Sequence, residues 1–303
     1  MENIILFIKS AVSIMMPIFF AACGGLFTAI AGILNIALEG LLLAGAFSSL
    51  AVFYFTGNYI AAVASAIFSS TALAALHAFS IFKLRANIFI TGLAVNLLSS
   101  GLCVIFSEKL FNTKGVVSVN SGGGANLLLW YAVAGLILLL ISWLSIYKTP
   151  FGYRLRACEK NSSALLSLGI SPVLYKTVSL LVSGFFCGIG GSFLSLNLAA
   201  YVPGMSAGKG WIALAVIFLG VKKPAGILCA AFIFALAECF SNYAQGFWKI
   251  PADFILAFPY LCTLIAIISV SFFTKKRYKY APGRIRTCSL KNIIYLIFSK
   301  FLN

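Results

Sequence analysis

Apolar residues run along this chain in long unbroken stretches separated by short polar breaks, without the two-residue alternation of a half-buried strand. The first stretch starts near Ile4, is interrupted by Lys9 and Pro17, and reaches Ala31. Leu41 to Phe55, Asn58 to Phe82, Asn87 to Phe106 and Leu127 to Tyr147 supply a second to fifth span, and Val173 to Ala199 a sixth. Ala225 to Tyr243 and Phe254 to Phe273 add two more. Runs of about 18 residues or more cross a bilayer as helices, whereas barrel strands alternate over about ten. Trp211 to Val221 is different, because its eleven residues make about 17 Å of helix against a hydrocarbon core of about 30 Å. It is read as a half-helix, or as a span extended by Ala207 to Gly210 and by lysines reaching for the interface. The predicted fold is therefore all-α, a polytopic membrane helical bundle of about eight or nine transmembrane helices.

The polar breaks carry the positive charge. The longest, Lys148 to Pro172, holds Lys148, Arg154, Arg156 and Lys160 against one acid, Glu159. Short basic loops stay on the cytoplasmic side, which places this one inside the cell. A short helix is predicted over Arg154 to Leu168, with Gly169 as its stop. Lys83 and Arg85, the pair Lys222-Lys223, and the run Lys275 to Lys279 fall on the same side when the spans alternate, so the C-terminus is expected in the cytoplasm. Residues 1–274 then form the membrane domain and 275–303 a basic cytoplasmic tail. Ser107 to Asn126, weakly charged and containing Gly122-Gly123-Gly124, reads as an external loop.

Composition agrees with this reading and excludes others. The 303 residues are 62% hydrophobic and 9% charged, with a mean hydropathy of +1.05. A net charge of +16 could suggest nucleic acid, but the positive residues are spread over loops between spans and act as topology determinants. Eight cysteines without C-x-x-C spacing indicate neither a disulfide framework nor a metal site. One histidine and six acids offer no nucleophile with its base and no carboxylate pair, so no enzyme and no cofactor are expected. P-G-M-S-A-G-K-G at 203–210 fails as a nucleotide loop: three residues separate Gly204 from Gly208, and Gly210 stands where Ser or Thr would hold magnesium.

Polar residues inside spans are the remaining candidates for chemistry. Asn35 and Glu39, four apart in G-I-L-N-I-A-L-E-G, are predicted on one helical face. A carboxylate at the bilayer centre costs roughly 2.5–3.5 kcal/mol on insertion scales, so Glu39 should face the bundle interior or its edge. With Thr91, Asn96 and Asn197 these residues suit a neutral, hydroxyl-rich solute, since amides and hydroxyls both donate and accept. Bonding between helices is the competing reading. Glu238 is deep enough to face the bundle, and an ion-coupled carrier would use Glu39 and Glu238. Gly184, Gly188 and Ser192 form one small-residue stripe, with Ser183, Cys187, Gly191 and Ser195 on the next, a spacing that favours close helix packing over a dinucleotide fingerprint.

Four segments carry a family resemblance: G-G-L-F-T-A-I-A-G-I-L-N-I-A-L-E-G-L-L-L-A-G-A-F (24–47), A-N-I-F-I-T-G-L-A-V-N-L-L (86–98), T-P-F-G-Y-R-L-R-A-C-E-K-N-S-S-A (149–164) and P-G-M-S-A-G-K-G-W-I-A-L-A-V-I-F-L-G (203–220). Together, over roughly residues 20–275, the chain resembles permease subunits of ABC importers for nucleosides and simple sugars, in the wider ribose and branched-chain amino acid permease group. The resemblance implies a plasma-membrane subunit translocating a nucleoside or simple sugar. It implies a cytoplasmic ABC ATPase subunit, a second homologous permease, and an extracytoplasmic solute-binding protein or lipoprotein as partners, with membrane lipid around it and no nucleic acid. It also implies that the loop between the fifth and sixth spans is a coupling helix docking on the ATPase, through Gly152, Arg154, Arg156, Ala157, Glu159, Asn161 and Ala164. The family's loop usually reads G-x-N-P, where this chain has Glu159 for the glycine and Ser162 for the proline.

Overall fold

The computed structural model describes residues 2–119 and 124–247. Ten helices and two short strands follow in order: α1 Glu2–Ile30, α2 Leu38–Thr56, α3 Tyr59–Phe82, α4 Ile88–Phe111, β1 Val117–Ser118, α5 Gly124–Lys148, α6 Pro150–Lys160, α7 Ser162–Ser167, α8 Pro172–Leu198, β2 Ala200–Tyr201, α9 Lys209–Leu219 and α10 Pro224–Phe247. Seven of these, α1–α5, α8 and α10, are long and apolar enough to span a membrane, and α9 is the short apolar helix. The predicted span Phe254 to Phe273 and the 275–303 tail lie outside the described residues.

Local chemistry sets the ends. Gly57, at φ +65°, closes α2, and the Asn58 side chain accepts from the Ile60 N–H to open α3. Asn87 does the same for Phe89 at the start of α4, and Pro172 occupies the first turn of α8.

α8 lies at the centre, packed on α1, α2 and α3. Its glycines remove the side-chain layer between backbones. A Cβ on Gly184 would stand 2.8 Å from the Thr71 Cα of α3, and one on Gly190 would stand 3.2 Å from the Pro17 carbonyl of α1. Gly191 faces the Leu42 carbonyl and the Ala46 N–H of α2. Serines add bonds across the same seams: Ser49 Oγ to Ser195 Oγ at 2.6 Å, and Tyr131 Oη to Ser192 Oγ at 2.8 Å. Both small-residue stripes are thus packing surfaces. α3, α4 and α5 expose Phe68, Leu97 and Trp130 on their outer faces, the surface expected towards lipid.

The polar breaks gather at two ends. At the basic end Ile33 packs with Ala78, Ile81 and Leu180, next to Lys83, Arg85 and the 149–171 loop. At the other end β1 pairs antiparallel with β2, Val117 opposite Tyr201, and Tyr201 packs edge-on against Phe47 at 5.1 Å. The basic loop differs from the single helix predicted over 154–168. It is two helices, because Asn161 interrupts the backbone at φ −155°, and its Oδ1 accepts from the Ala164 N–H to start α7. The helix also begins earlier than predicted, at Pro150, capped by Thr149. Gly169, at φ +72°, is the stop.

Gly188→Ala would bring a methyl within 2.6 Å of Ile67 Cα and 2.7 Å of the Ala66 carbonyl. It is expected to destabilise by at least the roughly 1–3 kcal/mol of overpacking, read as a lower Tm in detergent. Gly101→Ala meets nothing within 4 Å and should leave Tm unchanged or slightly raised through helix propensity. Equal melting of the two variants would contradict this packing.

Candidate functional site

The predicted helical face carrying Asn35 and Glu39 is not continuous. Gly32, at φ +79°, ends the α1 turn, and Asn35 Oδ1 accepts from the Ala37 N–H at 3.1 Å, leaving 31–37 without regular helix. Glu39 falls in the first turn of α2. A non-helical stretch inside a span exposes backbone groups that hydrocarbon cannot bond, so protein must supply partners. Asn96 on α4 supplies two: its Oδ1 accepts from the Gly40 N–H at 2.8 Å, and its Nδ2 donates to the Ile36 carbonyl at 3.0 Å. Ser99 Oγ donates to the Gly40 carbonyl at 2.6 Å. Asn35 Nδ2 donates across to Ser183 Oγ on α8 at 2.8 Å.

A second break faces the first. After β2 the chain turns back through 202–208, and α9 starts at Lys209. Glu39 receives that start. Its Oε1 accepts from the Gly208 N–H at 2.8 Å and its Oε2 from the Gly210 N–H at 2.7 Å. The first N–H groups of a helix have no partner of their own and carry the positive end of its dipole, so a carboxylate satisfies both bonding and charge. A Cβ on Gly210 would stand 2.6 Å from Glu39 Cα, so this approach requires glycine.

α9 is a short apolar helix of eleven residues, Lys209–Leu219, below the length of a span. Ile217 packs at Gly25 of α1, and Lys222 beyond its end reaches the Ala29 carbonyl, so α9 runs beside the last turns of α1 towards the basic end. Its eleven residues place its N-terminus about 17 Å back from that end, a length of about half a hydrocarbon core.

Lys209 adds a charge pair at this depth. Its Nζ lies 3.1 Å from Glu238 Oε1 on α10, with the side chains 12% and 19% exposed. The site therefore joins two carboxylates, one ammonium and a helix N-terminus, contributed by α2, α9 and α10. Among the described residues no group of three metal-ligating side chains occurs.

The structure brings Asn35, Glu39 and Asn96 together around the first break. Thr91 is on the same helix as Asn96, beside Gly92, which packs on Ile36, but its hydroxyl donates to the Asn87 and Ile88 carbonyls. Asn197 lies apart, bonded to Ser13 Oγ at 3.0 Å, and lines a cavity of about 420 Å³ with Lys9, Ser10, Ser13, Ile14 and Leu128. Lys209 and Ser183 were not anticipated as site residues. Lys209 stood in the sequence within a rejected nucleotide motif, and Ser183 within a packing stripe.

The loop residues separate by depth. Gly152 is buried where α6 crosses the end of α5, against the Ile146 carbonyl. Arg154 is exposed and its Nη1 donates to Tyr175 Oη at 2.7 Å. The Arg156 guanidinium lies over the Tyr153 and Tyr147 rings at 4.8 Å and 5.3 Å, and its Nε donates to the Gly152 carbonyl. Ala157 is half-buried, while Glu159, Asn161 and Ala164 are exposed. Glu159 pairs with Lys222.

Residues 7–267 match the family described as branched-chain amino acid transport system / permease component. The chain is 29% identical over 278 residues to guanosine ABC transporter permease protein NupQ of Bacillus subtilis (strain 168), covering 83% of this chain and 87% of that one. It is likewise 29% identical over 283 residues to nucleoside ABC transporter permease protein NupC of Lactococcus lactis subsp. cremoris (strain MG1363), with the same 83% and 87% coverage. Among solved structures it is similar to a chain of PsaBC from Streptococcus pneumoniae in complex with Fab, with a TM-score of 0.53 and 13% identity, covering 86% of this chain and 90% of that one.

Glu39→Ala leaves the Gly208 and Gly210 N–H groups without their acceptor, at a cost of roughly 1–3 kcal/mol per buried group. Glu39→Gln keeps one neutral acceptor. Thermal unfolding in detergent should rank wild type above Glu39→Gln and Glu39→Gln above Glu39→Ala; indistinguishable curves would show that α9 does not depend on this carboxylate.

Proposed function

The chain belongs to the family of permease components of branched-chain amino acid transport systems, and from that premise we propose that it is the membrane half of an ATP-driven importer for a nucleoside or a similar hydroxyl-rich solute. Two relatives that carry guanosine or nucleoside in their names support the solute class. The observation that carries the energy source is the loop over α6 and α7. Its inner side, Gly152, Leu155, Cys158 and Leu165, is buried against the bundle, while Tyr153, Arg154 and Lys160 stand exposed beside Leu166 and Leu168, which are 62% and 73% exposed. Apolar and basic groups presented together outside the spans suit a soluble partner's cleft.

In this reading the loop lies in the cytoplasm of a plasma-membrane protein, on an ATPase subunit. A second homologous permease completes the path, and a solute-binding protein or lipoprotein delivers from the opposite side. ATP binding favours one of two arrangements, and rigid-body rocking exposes the path to each side in turn. Asn35, Glu39, Thr91 and Asn96 form the wall of that path near the two backbone breaks, and the cavity at Asn197 lies towards the end where solute enters. An ion-coupled carrier is disfavoured because both of its carboxylates are engaged, Glu39 by backbone N–H groups and Glu238 by Lys209.

Vesicles holding the chain with its ATPase, a partner permease and a binding protein should accumulate labelled guanosine when ATP is supplied on the loop side. Vesicles holding this chain alone should not; accumulation by the chain alone would overturn the proposal. Replacing Arg154 and Arg156 together by alanine should leave the amount of protein in the membrane unchanged and lower ATP-driven uptake at least tenfold. Normal uptake in that variant would remove the loop from the coupling.

A further inference from the structure

α9 is held at both of its ends, and the two attachments belong to different parts of the molecule. At its N-terminus the N–H groups of Gly208 and Gly210 are bonded to Glu39 of α2, and Lys209 is paired with Glu238 of α10. Just beyond its C-terminus Lys222 Nζ donates to Glu159 Oε1 of α6 at 2.5 Å and to the Ala29 carbonyl at the end of α1 at 3.2 Å.

Packing backs this second attachment. Gly32 leaves room for α6 to settle on the end of α1, since a Cβ there would stand 3.2 Å from Glu159 Cα. Val221 and Lys222 both take φ +52° in the turn that closes α9, where the Lys222 N–H donates to the Ile217 carbonyl and the Lys223 N–H to the Gly220 carbonyl. That turn fixes the direction in which the Lys222 side chain leaves α9, and it leaves towards Glu159. With side chains 34% and 40% exposed, the pair adds little to stability.

We propose that the Lys222–Glu159 pair is a strut that transmits displacement of α6 to α9 and through it to Glu39, with Lys222 a positioning residue for transport. α9 is a single hydrogen-bonded rod, anchored at one end by the loop and at the other by the carboxylate beside the first backbone break. Movement of α6 along the bundle axis pushes or draws this rod, and the α9 N-terminus changes its hold on Glu39. This rests on the reading that α6 meets the ATPase.

The test uses the full complex in vesicles, with labelled guanosine as the probe, and compares Lys222→Glu, Glu159→Lys and the double exchange. Both single variants should lose uptake at least tenfold, and Lys222→Glu, which lies outside the docking loop, should still co-purify with the ATPase subunit and hydrolyse ATP. The double exchange should recover uptake to within about threefold of wild type. Lys222→Gln, which keeps a donor for the Ala29 carbonyl but no charge, should lower uptake at least threefold with unchanged Tm, and so reports on the strut even where charge reversal harms folding. Uptake by Lys222→Glu or Lys222→Gln within twofold of wild type overturns the strut, as does a double exchange no better than its singles. Wild-type uptake that needs the ATPase while these variants stay normal removes the strut alone. Wild-type uptake without the ATPase removes the strut together with the importer reading.

Discussion

A backbone that leaves the helical path inside hydrocarbon must find a partner for every exposed N–H and C=O, and this chain leaves it twice at nearly the same place. The carboxylate of Glu39 and the amide of Asn96 meet that demand. Glu39, in the first turn after one break, bonds the other, so the two irregular segments are tied together across the bundle. Asn96, reaching in from α4, fastens the turn before α2 at both its donor and its acceptor. The cost of a buried carboxyl group is offset because the N-terminal end of a helix supplies bonds and partial positive charge together.

From this arrangement follows the division of the molecule. The turn at 31–37 and the start of α9 need fixed neighbours, and α8 supplies them by packing on α1, α2 and α3 with glycine and serine facing inward. The helices α4 and α5 can then present apolar outer faces, while Asn96 and Ser99 of α4 reach inward to the first break. The basic end is assembled separately. α6 crosses the end of α5 at Gly152, settles on the end of α1 at Gly32, and bonds α8 through Arg154 and Tyr175. Loop and interior thus meet along α1 and α9.

Much of the bundle was legible because long apolar runs have one solution in a bilayer. The second to sixth spans and the shortness of 211–221 follow from run length and turn residues alone. The break at 31–37 was written locally as well, in Gly32 and Asn35, but the four-residue spacing of Asn35 and Glu39 suggested a continuous face. Glycine at positive φ and an amide bonding its own backbone two residues on outweighed helix periodicity. In the basic loop, Asn161 followed by two serines is likewise a cap signal inside an otherwise helical run. What could not be read was the identity of distant partners. Glu39 meets residues about 170 positions away, and Glu159 meets Lys222 at a separation of 63. Neither distance leaves any periodic trace, and both partners follow from how the helices pack.

The glycine seams of α8 have one further consequence. Where main chain rests on main chain there is no cushion of side chains to reorient, so α1, α2, α3 and α8 behave as a single casting with no internal play. Any relative movement is then confined to the margins of that block, as where Gly135 of α5 rests on the Phe19 and Phe20 side chains. A mutation that loosens the seam would let the block absorb a displacement that a rigid one passes on.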